Sequence, residues 1–278
     1  MFEQIKLILK GGVIGVANII PGVSGGTMAV VLGIYEDLIE AISNFATNRE
    51  RRKEYAVLLI KVGTGAIITV IALSWVMDYL LSNYPKHTYL FFIGLIIGSV
   101  PSIYQTHEEM KPAPASVMTF FAAGVLIISL GYFFPEIEHS NDINFEYQIT
   151  VSGLALLLIG GIFAGGSMIV PGISGSFVLV LLGQYQVIIK AIKEFNLILL
   201  SVVALGAVTG VWGFAKLIDV LLKKYPKETF YFILGLVIAS VYPIFPGLPK
   251  GMVQAGVAIS LAVLGVTAAY MLGRRNSG

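Results

Sequence analysis

The chain has 278 residues, 56% hydrophobic and 12% charged, with a net charge of +2. Soluble domains carry about 25% charged residues, so this composition cannot cover a water-facing surface. It excludes a secreted globular protein, a disordered chain and a protein that reads nucleic-acid phosphates through a basic face, and it fits an all-α integral membrane protein.

From the N-terminus, residues 1–10 are amphipathic, with Glu3, Lys6 and Lys10. The apolar run that follows meets Pro21-Gly22-Val23-Ser24-Gly25-Gly26. A signal peptide would need a small-x-small cleavage site there, so the segment is read as mature structure. Five apolar elements are predicted in the first half, at 5–20, 27–45, 55–81, 88–104 and 115–134. Five more are predicted in the second, at 149–170, 177–192, 197–222, 229–242 and 253–272. These runs are continuous, whereas a transmembrane barrel shows alternating segments of about ten residues. The third element of each half can span a bilayer with tilt. There is no cysteine, which excludes disulfides, thiolate metal sites and cysteine nucleophiles. The histidines His87, His107 and His139 fall in polar connections, too scattered for a metal site, and neither metal nor cofactor is expected.

The chain repeats itself. Pro21-Gly22-Val23-Ser24-Gly25 returns as Pro171-Gly172-Ile173-Ser174-Gly175 at an offset of 150, and 11 of the 23 positions from 20 to 42 are identical. Further on the offset is 141: Asp78 meets Asp219, Tyr84-Pro85-Lys86 meets Tyr225-Pro226-Lys227, and 14 of the 26 positions from 78 to 103 are identical. The difference is taken up around the charged loop 48–54. Two homologous halves are therefore predicted, 1–147 and 148–278. Each holds a hairpin (5–45 and 149–192) broken at Pro-Gly-x-Ser-Gly, followed by three transmembrane helices.

No charged residue stands at either hairpin turn. Each pair of elements could be two full spans, a re-entrant hairpin, or one broken helix crossing once. If each pair returns to its starting side, twelve Lys and Arg fall on the cytoplasmic side and four outside; a single crossing divides them evenly. The positive-inside rule selects the first solution, with both termini cytoplasmic in the inner cell membrane. Each half then crosses an odd number of times, so the halves are inverted relative to one another, as in many secondary transporters. The uncharged turns favour re-entry, which lets the two tips meet near the midplane.

The tip motif carries the chemistry. Pro21 and Pro171 cannot donate a backbone hydrogen bond, and Gly22 and Gly172 can take positive φ, so these four form the hinge of each tip. Ser24 and Ser174 are good N-caps for the helices that follow. The free N–H groups at those helix starts, with the positive end of the dipole, suit an anion. Ser24, Gly25, Gly26 and Thr27, with Ser174, Gly175 and Ser176, are therefore the predicted anion-binding residues. The competing reading is a pair of small-residue turns that let helices pack closely.

Ile20-Pro21-Gly22-Val23-Ser24-Gly25-Gly26-Thr27 and Val170-Pro171-Gly172-Ile173-Ser174-Gly175-Ser176, each followed by Gly-x-Tyr (Gly33/Tyr35 and Gly183/Tyr185), resemble the paired motifs of the bacterial and archaeal polyprenyl-phosphate transporter family, which includes PopT-type proteins. The resemblance spans essentially the whole chain. It implies a flippase that moves undecaprenyl phosphate from the outer to the inner leaflet, recycling the lipid carrier for cell-envelope synthesis. The expected partners are a polyprenyl-phosphate lipid and the bilayer, with no nucleic acid. The head group would need an anion site, and the tail a groove open to lipid, to which Phe91, Phe92, Phe230 and Phe232 are candidates; packing is the plainer role for such aromatics.

Charges inside a membrane are costly and often functional. Glu36 and Asp37, whose counterparts are Gln186 and Val187, are candidate proton carriers, or else carboxylates at a helix end. Lys61 could balance a phosphate or snorkel to the cytoplasmic edge. Asp78 and Asp219 are read as a structural pair that holds the Tyr-Pro-Lys turns, and Asn18 could satisfy freed backbone groups at the first tip. A phosphatase would want a His acid/base and clustered Arg, and neither lies within a span, so the chain is not read as an enzyme. An ion or small-anion transporter is the alternative.

Overall fold

The structure, a computed structural model, describes residues 2–19, 24–105, 111–133, 150–247 and 251–274. The described residues are helical and contain no strand. The first half holds α1 (Phe2–Ile19), α2 (Gly25–Val31), α3 (Tyr35–Asn44), α4 (Arg52–Asn83), α5 (Pro85–Gln105) and α6 (Pro114–Phe133). The second holds α7 (Val151–Ile169), α8 (Gly175–Leu181), α9 (Tyr185–Lys193), α10 (Leu197–Lys224), α11 (Pro226–Ala239), α12 (Val241–Ile244) and α13 (Met252–Arg274). Among the described residues, four stretches are long and apolar enough to cross a membrane: Arg52–Leu73, Val151–Ile169, Leu197–Lys224 and Met252–Met271. The outer surface is apolar too: Trp75 and Val151 are each 88% exposed, which suits lipid as solvent and not water.

Two expectations about boundaries are corrected. The second element of each half, predicted as one run at 27–45 and at 177–192, is two helices, α2–α3 and α8–α9. Gly33 (φ 62°) ends α2 in a left-handed turn: its N–H donates to the Val30 carbonyl and the Ile34 N–H to the Ala29 carbonyl, both at 3.0 Å. That paired closure needs a residue without a Cβ penalty; Gly183 (φ 66°) ends α8 with the same left-handed φ, and the Gln184 N–H donates to the Leu179 carbonyl at 2.8 Å. The fourth element of the second half also divides, into α11 and α12, at Ser240.

Helices associate in lipid by close packing, which small residues permit. Four pairs dominate: α1 with α4, α7 with α10, α5 with α13, and α6 with α11. Gly11 lies against the backbone of Val62, and Gly15 against Ala66. Adding 150 to the first number and 141 to the second gives Gly161 against Val203 and Gly165 against Ala207, and those contacts are also present. Residue numbers rise together in both pairs, so α1 runs parallel to α4 and α7 parallel to α10. The other two pairs cross between the halves. Gly94 lies against Ala262 and Gly98 against Val266, while Gly235 lies against Phe120. A core that includes Met28, Leu32, Ile39, Ile96 and Val237 fills the space between these pairs.

Candidate functional site

At the end of α7, Val170 leaves the helix with φ −76° and ψ 121°. Pro171 follows, fully buried, and cannot donate to the turn behind it. Gly172 (φ 82°) redirects the chain, and a Cβ there would stand 2.7 Å from the Leu236 carbonyl oxygen. The last carbonyls of a helix have no partner within it, and in apolar surroundings they must find one in protein.

Residues of the first half supply the donors. The Tyr35 hydroxyl donates to the Ile169 carbonyl at 3.1 Å, and the Ser24 hydroxyl makes a longer bond of 3.4 Å to the Val170 carbonyl. In return the Gly172 N–H donates to Thr27 Oγ1 at 2.8 Å. Gly26 makes the approach possible, because a Cβ on it would stand 2.8 Å from the Ile169 carbonyl oxygen. The start of α2 thus lies directly on the end of α7. The contact brings together Ser24, Gly26 and Thr27 of one predicted tip with Pro171 and Gly172 of the other.

The two tips differ in access. Ser24 occupies the N-cap position of α2, with φ −97° and ψ 136°, but makes no side-chain bond to its own helix. Ser24 is 4% exposed, Thr27 1%, and every residue of α2 is buried. At the other tip Ser174 and Gly175 are half-buried and Ser176 is exposed, with the two serine hydroxyls 2.8 Å apart. Pro21 and Gly22 lie outside the described residues.

A family model described as undecaprenyl phosphate translocase-like matches residues 14–258, a span that contains both tips. The chain belongs to this family. It is similar to the polyprenyl-phosphate transporter of Vibrio cholerae serotype O1, 32% identical over 262 residues that cover 88% of this chain and 78% of that protein. It is equally similar to the polyprenyl-phosphate transporter of Staphylococcus aureus, 32% identical over 275 residues, or 96% of this chain and 95% of that one. No solved structure matches it.

The remaining candidates of this family member lie away from the tip contact or at its edge. Glu36 and Asp37 are exposed in the first turn of α3. With Tyr35, Val30, Phe230 and Ile233 they line a cavity of about 210 Å³ beside the first tip. Asp37 also opens on a larger cavity of about 480 Å³, lined by Glu40, Arg51, Glu54 and Tyr55. There Arg51 pairs with Glu40, and with Glu54 at 2.9 Å. Lys61 is not brought to the tips. It is half-buried on α4 next to Val62, which packs on Gly11, about 12 Å of helix short of the end of α1. Among the four aromatics, Phe92 and Phe230 are buried, while Phe91 and Phe232 are partly covered.

One structural expectation is corrected. Asp219 does not hold the Tyr225-Pro226-Lys227 turn. Its carboxylate accepts from Ser43 Oγ and Asn44 Nδ2, each at 3.1 Å, and pairs with Lys223 at 2.8 Å, tying α10 to α3. The turn is held by Thr229, whose hydroxyl donates to the Tyr225 carbonyl at 2.7 Å, as Thr88 does to Tyr84 at 3.0 Å. The side chain of Asp78 lies outside the described residues. The repeated Gly-x-Tyr pattern is the signal in the sequence for Tyr35, and nothing local marks Ser43 or Asn44 as site residues.

Proposed function

We propose that the protein carries a polyprenyl phosphate such as undecaprenyl phosphate across the cytoplasmic membrane. The direction is from the outer to the inner leaflet, so that the lipid carrier is reused in cell-envelope synthesis. The observation that carries this reading is the contact between the two Pro-Gly-x-Ser-Gly tips, one buried and one open. Carriers with duplicated halves place the substrate where broken helices from the two halves converge.

Helix directions support an inverted arrangement of the halves. Tyr84 and Tyr225 each stand as a single residue between two helices, α4 and α5, and α10 and α11, and we read both, with the link from α11 to α13, as places where the chain turns back. Numbers rise together where α5 meets α13, so these two run the same way. A chain that enters α13 in the direction of α5 has α10 running against α4, and hence α7 against α1. Hairpins entering from opposite faces meet at their tips in the interior, which favours re-entry over full spans. The twelve-to-four division of basic residues puts both termini in the cytoplasm.

In this reading the phosphate is met at the open tip by the Ser174 and Ser176 hydroxyls and the backbone N–H groups beside Gly175. Ser24, Gly25, Gly26 and Thr27 form the corresponding site when the first tip opens. Glu36 and Asp37, on the cavity beside that tip, are the proton carriers, and Lys61 attracts the head group at the level of α1. No side chain here is assigned a bond-breaking role. The test is reconstitution into liposomes with undecaprenyl phosphate loaded in one leaflet. Faster exchange between leaflets than in protein-free liposomes is expected, and unchanged exchange would end this reading.

A further inference from the structure

The halves match in their helix pairs but not in their hairpins. α3 crosses to the other half and docks on α10, and α2 sits between α5 and α7 within the main core. Among the described residues, α8 and α9 pack on α7, on α10 and on each other, with no comparable docking on the first half. Val187 and Ala191 of α9 form a separate cluster with Leu157 of α7 and Leu199 of α10. The first hairpin is held by a buried charge: Asp219, 7% exposed, takes bonds from Ser43 and Asn44 and the ion pair from Lys223. A carboxylate left without these partners in apolar surroundings is strongly disfavoured, so the docked position of α3 and the state of Asp219 are linked.

The repeat offsets carry this arrangement into the other half. Position 219 maps onto 78, which is again Asp, and position 43 maps onto 193, which is Lys; the other two partners, Asn44 and Lys223, map onto Glu194, which pairs with Lys190, and Ser82, so the cation at 193 is the part of the latch that is carried over. The sequence thus provides a carboxylate on α4 and a cation on α9 where the second hairpin would dock if it moved as the first has done. We infer that Asp219 is a positioning residue for transport, latching the first hairpin shut while the second stands open. The cycle releases this latch and docks the second hairpin on α4, bringing positions 78 and 193 together. Each tip is then buried in turn while the other is open, so a bound head group is presented first to one face and then to the other. The inference rests on the transport reading above, and it names the element that has two arrangements.

The absence of native cysteine gives a direct test. Asp78→Cys with Lys193→Cys is placed in native membranes and oxidised. A disulfide forms only when the two Cα atoms come within about 7 Å. The pair is expected to cross-link, and adding Asp219→Ala should speed cross-linking roughly tenfold, because bonds to a charged group are lost from the competing state. Asp219→Asn, which keeps an acceptor for Ser43, should give an intermediate rate and serves if the alanine variant fails to accumulate. No cross-link in any background, or a rate indifferent to residue 219, overturns the latch. Undecaprenyl phosphate exchange in liposomes is followed in parallel. Cross-linking that responds to residue 219 in a protein that moves no lipid keeps the latch and removes the transport reading. Lipid movement with an indifferent cross-link does the reverse.

Discussion

The hydroxyl of Tyr35 donates a hydrogen bond to the carbonyl oxygen of Ile169, across 134 residues of sequence. It is the bond through which the short helix pair of one half satisfies the broken helix end of the other. Tyr35→Phe keeps the ring and removes the donor, leaving a buried carbonyl short of a partner at a cost of about 1–3 kcal/mol. Thermal unfolding in lipid nanodiscs should show a lower midpoint, with helix content unchanged. An unchanged midpoint would mean that the bond adds nothing to the tip contact.

Thr27 accepts from the Gly172 N–H at 2.8 Å while 1% exposed. Thr27→Val has nearly the same shape but offers no acceptor, so the amide is orphaned at a similar cost of about 1–3 kcal/mol. Thr27→Ser retains the acceptor and should lose less. A larger loss in Thr27→Ser than in Thr27→Val would point to packing of the methyl group and not to the hydrogen bond.

Gly25 and Gly26 are adjacent but face different neighbours. A Cβ on Gly25 would stand 2.7 Å from Asn18 Oδ1, a side-chain atom that can move, whereas one on Gly26 would stand 2.8 Å from the backbone carbonyl of Ile169. Gly26→Ala should therefore be the more damaging, by about 1–3 kcal/mol as for other overpacked sites. Its effect should also appear as greater thiol labelling of a cysteine placed at Ser24. If Gly25→Ala is the worse of the two, the tips are not packed as described.

Ser174 and Ser176 make a hydroxyl pair at the open tip, 2.8 Å apart. Replacing both with Ala should slow undecaprenyl phosphate exchange about tenfold or more if both contact the head group, since a hydrogen bond to a charged group contributes about 1.5–3 kcal/mol. The thermal midpoint should barely change, because neither side chain holds the two halves together. A large fall in midpoint with normal exchange would reassign the pair to structure.

Much of this architecture is legible in the chain. The duplicated Pro-Gly-x-Ser-Gly and Tyr-Pro-Lys blocks set out the repeat, and the absence of charge at the tips fits the burial of the first. The division of each hairpin's second arm is missed because Gly33 and Gly183 sit in apolar runs. A single glycine there reads equally as a packing site or a helix stop, and only its backbone angle distinguishes them. Asp219 is found as a repeated residue but misassigned. Its partners Ser43 and Asn44 lie 176 and 175 residues away, and no local pattern predicts which helix a carboxylate will meet. Likewise the donors for the α7 end come from Tyr35 and Ser24, and pairing of that kind is a property of the assembled tips.

The pairing of α5 with α13 bears on how the protein is made. α5 ends at Gln105, and its partner is completed only at Arg274. Growing chains lengthen at about 5–20 residues per second, so the glycine face of α5 waits on the order of ten seconds in the bilayer before Ala262 and Val266 arrive to cover it. Insertion can proceed helix by helix, but assembly cannot. A ribosome that stops before α13 leaves half of the cross-half pairing unmade, and quality-control proteases would find the exposed edge there, on Gly94 and Gly98.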